Sequence, residues 1–248
     1  MSTLDNVPAG LLLDESGYPF TGISPPSWIK QIDAFFAGKP IQLVADRAFR
    51  LSANLCRRIG DVDLYHQWIR NSLESDSSPW WSAAFATTAL VGYFSAGKSL
   101  LDAGAVALDH LLGLGFRPKQ QDFSKGKFWN KLQTADGNAY ERLRNHRPFI
   151  DEVVRWRDAS VHRLPPRVRV LSDGPPAKTP VTTTKQDVRH GMPDDPGADM
   201  MDMLLGKKLT WVDPLELVDG FTKGFHSFAS DIADILLTKL GSNARLAG

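Results

Sequence analysis

The sequence predicts an all-α fold, a helical bundle carrying a proline-rich irregular excursion with a small β-hairpin before its last helix. Three observations lead there. Apolar residues recur at three- and four-residue spacing through most of the chain; strand-like alternation is confined to one short stretch; and no internal repeat or coiled-coil heptad is present. The 248 residues, 42% of them hydrophobic, suffice for one sizeable core, and a single domain over 1–248 is expected.

Residues 1–26 hold Pro8, Gly10, Gly17, Pro19, Gly22, Pro25 and Pro26 and read as an arm without regular structure. A short helix is expected after Ser27, with Trp28, Ile32, Phe35 and Phe36 on its apolar face and Gly38 closing it. Leu43, Val44, Ala48, Leu51, Leu55 and Ile59 then mark a helix over 41–59 that Gly60 stops, and Leu64, Trp68, Ile69 and Leu73 a further one over 62–74. Trp80 to Leu114, rich in Ala and Leu, reads as one long buried helix or as two joined near Gly97. Gln120 to Leu132 is a basic connection with Phe123, Phe128 and Trp129 turned inward, and the next helix begins near Asn138 or Pro148 and stops before Pro165-Pro166.

The segment 165–210 differs from everything before it. Its prolines, its threonines and the alternation Arg167-Val168-Arg169-Val170 describe a surface excursion, with a hairpin involving Leu209 and Trp211. The final helix has a marked start in Asp213 as N-cap, Pro214 at N1 and Glu216 at N3. Leu217, Phe221, Phe225, Phe228, Ile232, Ile235 and Leu236 form its stripe.

Composition narrows the function classes. The formal charge is +1, so the chain as a whole has no nucleic-acid or membrane signature, but Arg117 to Arg169 carries 13 Lys and Arg against 6 Asp and Glu. One cysteine, Cys56, rules out an internal disulfide and a multi-cysteine zinc site, and its helical context makes it a small core residue. His146, His162, His190 and Asp194 lack metal-ligand spacing and read as surface residues, so no metal and no cofactor is expected. With neither a signal peptide nor an apolar run of about 18 residues, a cytoplasmic protein is expected.

Gly92-Tyr93-Phe94-Ser95-Ala96-Gly97-Lys98-Ser99 matches the letters of a P-loop. Its context is wrong: Trp80 to Val91 is helical in spacing, where a P-loop needs a buried strand, and no downstream Asp-x-x-Gly strand or Asn-Lys-x-Asp reader is present. Close packing at Gly92 and Gly97 explains it better, and a nucleotide binder at 92–99 ranks last.

The chemistry concentrates in Arg157-Asp158-Ala159-Ser160-Val161-His162, at a helix end followed by Arg163. A stripe Ile150, Val154, Arg157, Val161 puts an arginine where a core side chain is expected, which is costly unless the guanidinium is paired or has a task. The spacing resembles the R-x4-6-H signature of the HEPN superfamily, small helical proteins many of which are metal-independent ribonucleases. Lys98-Ser99-Leu100-Leu101-Asp102 is similar to the second core helix of that family, and the likeness extends over about residues 80–240.

The resemblance implies an endoribonuclease acting through the RNA 2′-OH, with His162 moving the proton, Arg157 stabilising phosphoryl charge, Asp158 orienting His162, and Arg155 and Arg163 contacting phosphate. It also implies a homodimer, because five positions separate Arg157 and His162 by about 140° on an ideal helix, and a role as a toxin or antiviral-defence effector with a cognate antitoxin or defence-system partner. The alternative is a non-catalytic HEPN-like module that binds a ligand or serves assembly.

Overall fold

A computed structural model describes residues 26–38, 47–75, 78–162, 167–172, 188–198 and 209–246, with the side chains of 47–49, 162, 172, 188 and 242–246 outside that description. The order is α1 (Ser27–Phe36), α2 (Arg47–Glu74), α3 (Pro79–Leu112), α4 (Gly126–Ala135), α5 (Gly137–Leu143), α6 (Arg147–His162), β1 (Arg169–Ser172), β2 (Val188–Pro193), β3 (Trp211–Val212) and α7 (Pro214–Leu246), with 3-10 turns at Pro118–Gln120 and Arg144–His146. The fold class is all-α with one small antiparallel sheet before the last helix, as the periodicity predicts. The N-terminal arm, apart from Pro26, and most of the 165–210 excursion lie outside the described residues.

The helices expected over 41–59 and 62–74 are one. Gly60 ends nothing, because a glycine stops a helix by adopting a positive φ, and the described glycines that do so are Gly38, Gly113 and Gly115. Inside a helix Gly60 costs only about 1 kcal/mol relative to Ala, which tertiary packing overrides. Gly113 and Gly115 close α3, where Leu114 N–H returns to the Asp109 carbonyl at 3.0 Å. Residues 80–112 form a single helix through Gly97.

The chain divides into two compact units. The first comprises Met1–Asp63, Ala96–Glu152 and Gly224–Gly248. Its core joins Ile29 and Ile32 of α1, Leu55 and Ile59 of α2, Phe128 of α4, and Phe225 and Phe228 of α7, none of them exposed. The Phe123 and Phe228 rings meet edge to face at 5.3 Å, as do Phe149 and Phe225 at 5.1 Å. Gly97 and Gly104 allow the approach: a Cβ on Gly97 would fall 2.1 Å from the Phe225 ring, and one on Gly104 3.1 Å from Phe228. Cys56 is buried here, and burial pushes its thiol up to about 12.

The second unit comprises Leu64–Ser95 and Val153–Lys223. Phe94 stacks on Trp156 at 5.1 Å and 14°, with Phe221 edge-on to Phe94 at 5.2 Å. Buried Tyr93 satisfies its hydroxyl by donating to Val218 O at 3.0 Å and by sharing a 2.8 Å bond with Thr222 Oγ1. The sheet belongs to this unit, in the order β1-β2-β3, with Arg169 opposite Gly191 and Met192 opposite Val212. It has one strand more than the expected hairpin. It is tied to α3 by Val168 N–H donating to Thr87 Oγ1 at 3.0 Å and by His190 Nε2 donating to the Pro79 carbonyl at 3.2 Å.

Candidate functional site at the end of α6

α6 starts with Pro148 in its first turn, where a missing N–H costs nothing, and stays helical through His162. Its buried stripe is Ile150, Val153, Trp156, Ala159 and Ser160. This corrects the expected stripe by one position. Trp156 has the most area to hide, about 150–250 Å² for an aromatic of its class, and its burial sets the face. Val161, expected inside, is 45% exposed.

The rotation moves Arg157 out of the core. Its side chain is one-third exposed, and its Nη1 donates to Asp158 Oδ1 at 2.9 Å. Asp158, expected to face His162, is therefore engaged by the neighbouring guanidinium; its own side chain is 54% exposed. Arg155 is also exposed, with Nη1 3.7 Å from Asp195 in the turn after β2. Positions 155, 158 and 162 follow one another at spacings of three and four residues, so they share one side of the helix, on which the Arg155 and Asp158 side chains are exposed. The His162 side chain and all of Arg163 lie outside the described residues. Because α6 does not unwind before His162, the backbone of one chain leaves Arg157 and position 162 on different faces.

The P-loop letters describe the interior of α3. Their N–H groups are spent in the helical ladder, Gly92 lies against the Tyr65 ring where a Cβ would sit at 2.2 Å, and Gly97 lies against Phe225. Lys98 pairs with Asp102 and stands 3.5 Å from Asp122. Burial alone would raise the Asp122 carboxyl; the Ser124 N–H and the Lys98 charge bring it below its usual range. No phosphate cradle exists there.

Among the described residues no group of three or more His, Cys, Asp or Glu could hold a metal ion. His146, read as a surface residue, is mostly buried and bonds Asp231 at 2.7 Å. It belongs to a set of hydrogen-bonded side-chain pairs along α7 that sequence reasoning missed. Within the first unit Arg142 joins Asp231 at 2.7 Å and also Asp234, and His226 joins buried Asp63 at 2.8 Å. Within the second, His66 and Arg70 both bond Asp219, at 2.7 and 2.9 Å. Against the burial that would raise it, those two hydrogen bonds hold the Asp219 carboxyl below its usual range. These partners are 85 to 163 residues apart, and no local spacing announces them.

Exposed aromatics were missed as well. Trp68, Trp80, Trp81 and Phe85 are all more than half exposed, although the sequence reads as a buried helix from Trp80 onward. The adjacent pair Trp80-Trp81 was the available signal, because neighbouring positions on a helix cannot both occupy one narrow stripe. Two cavities flank this part of α3. One, of about 700 Å³, is lined by Tyr65, Trp68, Asn71, Ser82 and Phe85; the other, of about 480 Å³, by Trp80, Thr87, Arg167 and Arg169.

No helix among the described residues is long and apolar enough to cross a membrane. Compared with models of known families, with characterised proteins and with solved structures, the chain matches none, so the HEPN resemblance rests on its own residues.

Proposed function

We propose that the protein is a metal-independent endoribonuclease of the HEPN type, built as a two-fold homodimer and working in the cytoplasm as a toxin or defence effector. The observation that carries this reading is Arg157. It is a guanidinium on the last turns of a helix, accessible to solvent and held in place by Asp158 at 2.9 Å, five residues before a histidine that closes the same helix. Phosphodiester transfer requires an oriented, reachable cation and a group that exchanges protons near neutral pH, and a second copy of the chain can bring the two together.

In the proposed reaction the RNA 2′-oxygen forms a bond to the adjacent phosphorus while the bond from phosphorus to the 5′-oxygen breaks. The 2′-OH loses its proton and the departing 5′-oxygen gains one, with His162 as general acid or base. Arg157 stabilises charge on the non-bridging oxygens, and Asp158 positions Arg157 as well as lying one turn before His162. The products are a 2′,3′-cyclic phosphate and a 5′-hydroxyl end, and DNA is spared for want of the 2′-OH. Since one helix presents the arginine and the histidine on different faces, a second copy across a two-fold axis supplies the counterpart.

Wild-type protein should cut a labelled RNA in EDTA, and Arg157→Ala or His162→Ala, still folded, should not. Activity abolished by EDTA, or full activity in either variant, refutes the reading. A second reading, a non-catalytic module for ligand or partner binding, is favoured by the exposed aromatic cavities on α3; wild-type protein that binds but never cleaves would select it.

A further inference from the structure

The cavity of about 480 Å³ beside the start of α3 has a composition that α6 does not explain. Trp80, 61% exposed, forms one wall, and Arg167 and Arg169 contribute the other with Val168 and Val170. Among the described residues neither arginine has a carboxylate within ion-pair distance, unlike Arg155, Arg157, Arg70 and Arg142. Both are held beside the tryptophan by the bond from Val168 N–H to Thr87 Oγ1 and by the pairing of β1 with β2. Two residues along an extended chain span about 7 Å, a spacing on the scale of successive phosphates in an open strand. The volume lies within the roughly 300–1,000 Å³ range of small-ligand sites and can admit a nucleotide.

We infer that this cavity is a binding site for single-stranded RNA, in which Trp80 stacks on an unpaired base and Arg167 and Arg169 hold the phosphates on either side of it. Charge complementarity selects this occupant. The larger neighbouring cavity, lined by Tyr65, Trp68, Asn71 and Phe85, includes no charged side chain and has no handle for a polyanion. A flat ring beside two guanidinium groups suits a ligand that alternates π-faces with negative charge, and a duplex, whose bases are already stacked, cannot use the ring. The inference rests on the ribonuclease reading for its choice of RNA and names the surface that would hold the strand while α6 acts on it.

The test is fluorescence anisotropy of a fluorescein-labelled oligouridylate with the full chain. Trp80→Ala should weaken binding roughly tenfold, and Trp80→Phe, which keeps a ring, should retain most of it. Arg167→Ala with Arg169→Ala should weaken binding and make the log–log salt dependence shallower by about 1.4, the share of two phosphates on a single strand. Trp80 and Arg167 are exposed and Arg169 is half-buried in an edge strand, so circular dichroism should be unchanged and unfolding midpoints nearly so. Unaltered affinity in the alanine variants overturns the site. So does equal binding of an RNA duplex, or of a polyglutamate peptide, which would assign the patch to an acidic protein partner. Binding that follows these variants in a protein that never cleaves supports this site and sinks only the catalytic reading. Cleavage that persists with full affinity in Trp80→Ala and in the double arginine variant does the reverse.

Discussion

Replacing Gly97 by alanine separates two readings of the same eight letters. In a phosphate loop the added methyl would impair phosphate binding, whereas in a helix–helix contact it would cost folding stability. The added Cβ would lie 2.1 Å from Phe225 Cζ and within 2.9 Å of two further ring atoms, more than 1 Å inside ordinary contact. The ring has no room to withdraw, being fully buried with Phe149 edge-on at 5.1 Å. Overpacking of this kind costs about 1–3 kcal/mol, and the better helix propensity of Ala returns up to about 1 kcal/mol. A net loss of about 1–2 kcal/mol corresponds to a fall in Tm of roughly 2–8 °C for a chain of this size. Gly220→Ala is the internal control: it lies inside α7 with nothing within 4 Å of the added carbon, and should gain about 0.5–1 kcal/mol. Thermal unfolding of the full chain reads both. A neutral or stabilising Gly97→Ala would refute the packing argument, and Phe225→Leu in the same chain should relieve the clash if the argument holds.

Two further changes probe α7. Asp219→Asn removes a carboxylate whose folded value lies below its unfolded one near about 3.9, so the stability it contributes is present above that value and lost as pH falls through the lower one. The variant should be less stable than wild type at neutral pH, with the gap closing under acid in urea titrations; a gap that persists at the lowest pH contradicts the assignment. Asp213→Ala removes the cap whose Oδ1 accepts from Leu215 N–H at 2.7 Å and Glu216 N–H at 3.4 Å. It should cost about 0.5–2 kcal/mol in the same measurement, with Asp213→Asn nearly silent.

The features that local pattern dictates were legible in the sequence. The Asp213-Pro214 start of α7, its Phe221–Phe225–Phe228–Ile232 face and the inward turn of Phe123, Phe128 and Trp129 follow from capping chemistry and from 3.6-residue periodicity. Gly60 misled because glycine's effect depends on a φ angle that sequence does not carry. Arg157 misled because two stripes offset by one position compete along α6, and only the mass of Trp156 decides between them. The Asp219, Asp231 and Asp63 pairs, and the meeting of Trp80 with Arg167 and Arg169, join residues more than 80 apart and are products of the tertiary fold.

The motif itself stands where the sequence puts it, at a helix end, but with its arginine and histidine positions diverging around the helix. If the active cleft is composite, each of two identical sites in a dimer takes Arg157 from one chain and His162 from the other. Arg157→Ala and His162→Ala chains, inactive alone, should then regain cleavage when refolded together, because half of the dimers are mixed and each mixed dimer has one intact site; roughly a quarter of wild-type activity is expected. A mixture as inactive as its parents, beside a wild type that cuts RNA, would contradict a site shared between two chains.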